Sequence, residues 1–269
     1  MDRYRGRLAV RQYRESPELG DFPSPRKQLH FTRGGMTSYR DLAERLLKSD
    51  MPEIRWKSLV NVFDEDPESK NLRDLSETIR ISPVSQKLFQ HQNVDGEIAS
   101  SKGAYQKWQG AHWALASLAD IGYPANHPSL FRARDQMLDH WLSESFFREF
   151  VPKSKGDLYK YQKNAVPLLD GRYRRCASQQ GYCLFYLLRL GIADSRVHDL
   201  VERLLHWQWP DGGWNCDKNP SAHKSTFIHT AIALRGLVEY NKKHHSSAVS
   251  EAVDRAAEVF LKRRLFRRM

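Results

Sequence analysis

The chain has 269 residues, is 40% hydrophobic and carries a formal net charge of +11. That supports one large core. No apolar run approaches the roughly 20 residues of a membrane span, and the start Met1-Asp2-Arg3-Tyr4-Arg5 lacks a signal-peptide core. Three cysteines are too few for a secreted disulfide framework, so a cytoplasmic location is expected.

Residues 1–35 mix Arg, Pro and Gly without periodicity and read as a basic, disordered extension. They contribute +4 of the net charge, and residues 262–269 contribute +5, which leaves the body near neutral. A nucleic-acid surface needs a basic stripe on the fold itself, so nucleic-acid binding ranks last among the functions considered. Met36 is an alternative start, and residues 36–82 read as a helical lead-in. Ser38-x-x-Asp41 has the form of a capping box before Leu42, Leu46 and Leu47. Asp50-x-Pro52-Glu53 is expected to cap a second helix bearing Ile54, Trp56, Leu59, Val60 and Phe63. A third helix carries Leu72, Leu75 and Ile79 on one face. Ser82-Pro83, an N-cap followed by proline at the first helical position, opens the segment 83–269.

That segment contains a repeat. Gln92, Asp95-Gly96 and His112 match Gln208, Asp211-Gly212 and His229, with 17 positions from Asp95 to His112 and 18 from Asp211 to His229. A helix, a glycine turn and a second helix bearing a histidine therefore recur, the signature of an array architecture. A third copy lies between them. It runs from the helix at 130–143, across a long connector at 150–172, to the apolar segment 176–190. Gly122 and Gly191 are placed to end two of these helices. A fourth copy begins at 253–261, where the sequence parallels 197–205, and its partner helix does not follow. That helix is either a terminal cap or part of a longer array. No strand signal is visible, so the fold is expected to be all-α.

Gln208-Trp209-Pro210-Asp211-Gly212-Gly213-Trp214 resembles the Gln-Trp repeats of squalene and hopene cyclases. The stretch from Gly212 through Cys216 and His229 to Leu237 is similar to a repeat of protein prenyltransferase β subunits. About residues 36–268 resemble the prenyltransferase and squalene-oxidase repeat type. The resemblance implies an α-α toroid of concentric helices around a cavity, incomplete at the C-terminal side if the array is longer. In protein prenyltransferases an Asp, a Cys and a His from neighbouring units hold zinc. His229 falls where that His would, and Cys183 near the Cys, but the Asp position is Gly181 here.

Thiolates and imidazoles are the usual zinc ligands, and Cys176, Cys216 and His229 can fill the gap, with Cys183, Asp217 and His223 as alternates. The competing reading makes the cysteines small core residues and His229 a core histidine, as His112 would be in the first copy. Trp108, Trp113, Tyr182 and Phe185 are candidates to line the cavity, where aromatic faces stabilise cations. Trp209 and Trp214 belong to the turns and are expected to pack structurally. The Asp-x-Asp-Asp acid motif of squalene-type cyclases and the Asp-Asp-x-x-Asp diphosphate motif are both missing from the sequence. The favoured expectation is a zinc-dependent toroid protein with a cavity for an apolar or isoprenoid-like ligand, acting if an enzyme as a transferase or hydrolase. The alternative is a non-catalytic helical scaffold that binds a protein partner.

Overall fold

The structure, a computed structural model, describes residues 39–154, 156–160 and 165–265. The expected disorder of 1–35 and the capping role of Ser38 lie outside the described residues. The chain divides into two compact units at Leu42, within its first helix, and every later element belongs to the second, Ala43–Met269.

Helix α1 (Tyr39–Leu47) is followed by α2 (Pro52–Asn61) and α3 (Lys70–Arg80). Asp50 does not cap α2. Its N-cap is Met51, whose side chain makes no cap bond, and Ser49 Oγ accepts from the Met51 amide instead. That bond holds the N-cap residue and not the first turn, and Pro52 fixes the first helical φ. Ser69 Oγ caps α3 by accepting from the Leu72 amide. Trp56, Leu72 and Ile79 form a small core of their own. The Trp56 ring lies flat where a Cβ on Gly122 would stand, and this close approach joins the lead-in to the helices beyond.

Ser82 caps the short α4 (Pro83–Leu88), its hydroxyl accepting from the Ser85 amide and donating to the buried Glu53 carboxylate. Then follow α5 (Ala111–Ile121), α6 (Phe131–Leu142), the single turn α7 (Asp157–Lys160), α8 (Ala177–Arg189), α9 (Val197–His206), α10 (Phe227–His244) and α11 (Ser247–Lys262). Helix α8 packs along α10 and also against α5 and α9, while α11 packs on α10. Their facing sides make one continuous core that includes Leu115, Met137, Trp141, Leu184, Tyr186, Leu204, Trp214 and Leu237.

The recurring turns are built alike. Gln92 Nε2 donates to Gly96 O at 2.9 Å and Ser129 O at 2.8 Å. Gln208 Nε2 donates to Gly212 O and Ala252 O, both at 2.8 Å. Each glutamine closes its own turn and ties it to the next unit of chain. Gly96 and Gly212 have φ of 86° and 96°, the left-handed region that glycine enters without strain. Trp209 and Trp214 are buried staples, their indole N–H groups donating to Tyr173 O and Leu204 O.

The all-α expectation needs a correction. The connector between α6 and α8 contains a small three-stranded sheet, β1 (Glu149–Phe150), β2 (Val166–Leu169) and β3 (Arg172–Tyr173), in the order β1-β2-β3. β1 and β2 are parallel, and β2 and β3 are antiparallel. Asp170 and Gly171 turn the hairpin with φ of 49° and 64°, the paired positive values of a two-residue turn for which Asp-Gly is a favoured sequence. The protein is therefore mostly helical with a minor sheet. Among the described residues, no helix is long and apolar enough to cross a membrane.

Candidate metal centre

The sheet delivers its chain to the start of α8. β3 runs into Arg174 and Arg175, both buried, and Cys176 is the N-cap of α8, with no side-chain cap bond. Cys216 comes from the loop between α9 and α10, two residues beyond the buried Trp214. A chain of short turns stiffens that loop: the Asp217 amide donates to Asn215 Oδ1, the Asn219 amide to Asp217 Oδ1 and the Ser221 amide to Asn219 Oδ1. His229 is the third residue of α10. The helix start is tied back by the Thr226 amide, which donates to Trp214 O at 3.0 Å.

These three segments bring one ligand atom each from Cys176, Cys216 and His229 within 4.8 Å of one another. Tetrahedral zinc with bonds of about 2.0–2.3 Å sets its ligand atoms about 3.5–3.8 Å apart, so the group fits the ion with a small contraction. Cys216 Sγ already lies 3.4 Å from His229 Nε2. On the far side of the ring, Thr226 Oγ1 is 2.6 Å from Nδ1. Nδ1–H donating to the hydroxyl leaves the Nε2 lone pair facing the sulfurs, the second-layer arrangement that fixes a metal-binding tautomer. All three residues are half-buried.

The electrostatics favour negative sulfur. The thiol of Cys216 donates to Cys176 and pulls its pKa down to about 7, opposing burial, with Arg175 and Lys218 adding to the effect. The same hydrogen bond, and then burial, push Cys216 up. Negative charge is therefore favoured on Cys176 before Cys216. Burial pushes Arg175 down to about 10, countered first by Cys176 and Cys216. Its guanidinium donates to Gln180 Oε1 at 3.3 Å and Gln179 Oε1 at 3.0 Å.

The other candidates lie elsewhere. Cys183 is fully buried on α8, hydrogen-bonded to Tyr186, and burial pushes its thiol up to about 12. Asp217 is exposed and spends its carboxylate on a loop turn. His223 is exposed, its Nδ1 2.9 Å from Ser221 O. None of the three joins the ligand group among the described residues. Gly181 admits no side chain, since a Cβ there would stand 2.5 Å from Ala233 Cα.

Of the aromatic set, Trp108 is exposed and packs at a tilt against Trp113, ring centres 4.6 Å apart. Trp113 and Tyr182 are half-buried and pack edge-on against His112. Phe185 is buried beneath the Arg235 guanidinium, which is 3.6 Å from its ring centre. It borders a cavity of about 390 Å³ with Trp56, Arg189 and Lys242. His112 itself is enclosed by rings. Its Nδ1 accepts from Trp141 Nε1 at 3.3 Å and lies 3.4 Å from Tyr186 OH, and desolvation lowers its pKa to about 3. An opening of about 810 Å³ is lined by Asp217, the neighbour of Cys216 in the chain, and by Pro152, Leu158, Leu169, Lys218 and Pro220, among others.

Sequence reasoning missed one supporting residue, Thr226, which stands three before His229, the spacing that lets an N-cap side chain reach into its first turn. No protein-family model matches the chain, and no curated protein or solved structure matches it significantly.

Proposed function

We propose that this is a zinc protein of the α-α toroid type, with a Cys2His centre made by Cys176, Cys216 and His229 and a fourth position left for water or substrate. One observation carries the reading: three ligand atoms of zinc-binding type, from three separate segments, lie within 4.8 Å of one another. The matching Gln92 and Gln208 turns support the helical-hairpin array, and the prenyltransferase-like sequence pattern supports the concentric arrangement. Three free cysteines suit a reducing compartment such as the cytoplasm.

Bound zinc would supply Lewis acidity or lower the pKa of a coordinated water or thiol. The residues do the rest. Thr226 holds the His229 tautomer, Arg175 and Lys218 favour anionic sulfur, and the stiff loop at 215–221 positions Cys216. An apolar or isoprenoid-like ligand would occupy the opening beside Cys216, with Leu158, Leu169 and Pro220 against its body and Lys218 at its polar end. The reaction class is metal-assisted transfer or hydrolysis.

One observation favours the alternative, a scaffold for a protein partner. The interior rings at His112 pack on one another, with Tyr105, Trp113, Trp141, Tyr182 and Tyr186 all around it. That space is filled by side chains.

Elemental analysis of untagged protein separates the readings. About one zinc per chain is expected in wild type and none in Cys216→Ser. Wild-type protein without metal, or equal metal in the variant, would overturn the centre and favour the scaffold.

A further inference from the structure

We propose that Cys176 and Cys216 are also a peroxide-reactive dithiol, closing to a reversible disulfide that excludes metal. The competition with metal rests on the zinc reading, whereas the sulfur chemistry stands without it.

The two sulfurs arrive from segments separated by α8, α9 and their loops, yet lie within 4.8 Å. Both cysteines are free and half-buried. Disulfide sulfurs are about 2.05 Å apart, so closure asks for a movement of less than about 3 Å shared between two side chains. Neither side chain is locked inside an element. Cys176 is an N-cap at φ −73°, ψ 70° with no cap bond, and Cys216 stands in a loop outside any helix or strand. Cys183 is the internal contrast: it is on the same helix, fully buried, and shut away from solvent. The Arg175 guanidinium puts a positive charge beside the pair, which favours departure of an oxygen that carries negative charge.

The steps balance. One thiolate attacks an oxygen of a hydroperoxide, the O–O bond breaks, and the remaining alkoxide takes a proton from the medium and leaves as an alcohol. The sulfur is now a sulfenic acid. The second thiol attacks that sulfur, the S–S bond forms, and water leaves with the sulfenic hydroxyl and the thiol proton. An external dithiol reverses the bond by exchange. Zinc binds thiolates, so neither sulfur can serve as such a ligand while the disulfide stands. Zinc-loaded and oxidised forms are thus mutually exclusive.

The test uses the full chain, stripped of metal under reducing conditions, desalted, and treated with tert-butyl hydroperoxide. Peptide mapping should find a Cys176–Cys216 cross-link that dithiothreitol reverses, with Cys183 unmodified. Cys216→Ser should leave Cys176 as a sulfenic acid that dimedone traps. Zinc-loaded protein should react at least about tenfold more slowly, as a ligand that binds one form protects it, and should release its zinc in step with the cross-link. Thiols left intact, or oxidation to sulfinic acid without a cross-link, would overturn the proposal even if zinc binds. A cross-link in a chain that binds no zinc would support it and remove the metal reading alone.

Discussion

His112 and His229 hold matching positions in two hairpins, each near the start of a helix that follows a glutamine-anchored glycine turn. Their surroundings differ in nearly every respect. The His112 ring is 1% exposed and touches five aromatic rings, and its Nδ1 accepts from Trp141. The His229 ring is half-exposed, with a threonine hydroxyl at one nitrogen and a thiol at the other. A repeat therefore fixes where an imidazole stands but not what it does. The neighbours decide: a dry aromatic shell makes His112 a neutral acceptor, whereas two thiols beside His229 are what the proposed zinc reading needs to make it a ligand.

The largest effect expected from this contrast is on stability. His112→Ala removes a packed ring and leaves Trp141 Nε1 without its acceptor, at a cost of about 3–5 kcal/mol. His229→Ala in metal-free protein should cost under about 1 kcal/mol, since little packing is lost. Urea unfolding of both variants measures the difference, and equal losses would break the comparison.

Acid should reveal the same asymmetry. Desolvation lowers His112 from 6.5 to about 3 in the folded chain, so the unfolded chain binds that proton first. The stabilisation is present above pH 6.5 and is lost as pH falls from there towards 3, by a total of order 5 kcal/mol. His112→Gln should flatten that part of the stability–pH curve, and an unchanged slope would mean that the ring protonates in place. Next in size is Thr226→Val, which removes the hydroxyl at His229 Nδ1. Loss of such a supporting bond weakens zinc binding about 10–100-fold, and competition with a chromophoric chelator reads it. Smallest are Gln92→Ala and Gln208→Ala. Each loses two hydrogen bonds, about 1–2 kcal/mol, and thermal unfolding should place the two within a few tenths of each other if the turns are equivalent.

Much of this was legible in the sequence because it is local. The Gln and Asp-Gly spacing marked both turns, Ser82-Pro83 marked a helix start, and Gly122 ends α5 at φ 84° as expected. Cys176, Cys216 and His229 were singled out together, and they do converge. What stayed hidden depends on distant partners. Three strands of two to four residues carry too little pattern to register, although Asp170-Gly171 was a usable hairpin signal. Cys183 stood as an alternate ligand, yet the seven residues that separate it from Cys176 lift it roughly 10 Å along the helix and into the core. Nothing local marks Arg174 as a buried residue, yet it is 2% exposed, stacked on Trp209 and bonded to Ala222 O.

Gly181 sets a clearance. A Cβ at that position would meet the Ala233 backbone, and one at Gly236 would meet the Gly181 carbonyl, so α8 and α10 run past each other with nothing but main chain at the crossing. Two rods in such contact cannot slide or roll without collision, and Cys176 and His229 sit at the ends of those rods. The pitch and offset of the helix pair therefore act as a jig for the span between sulfur and imidazole. No acid could be hung from position 181 without prising the jig apart.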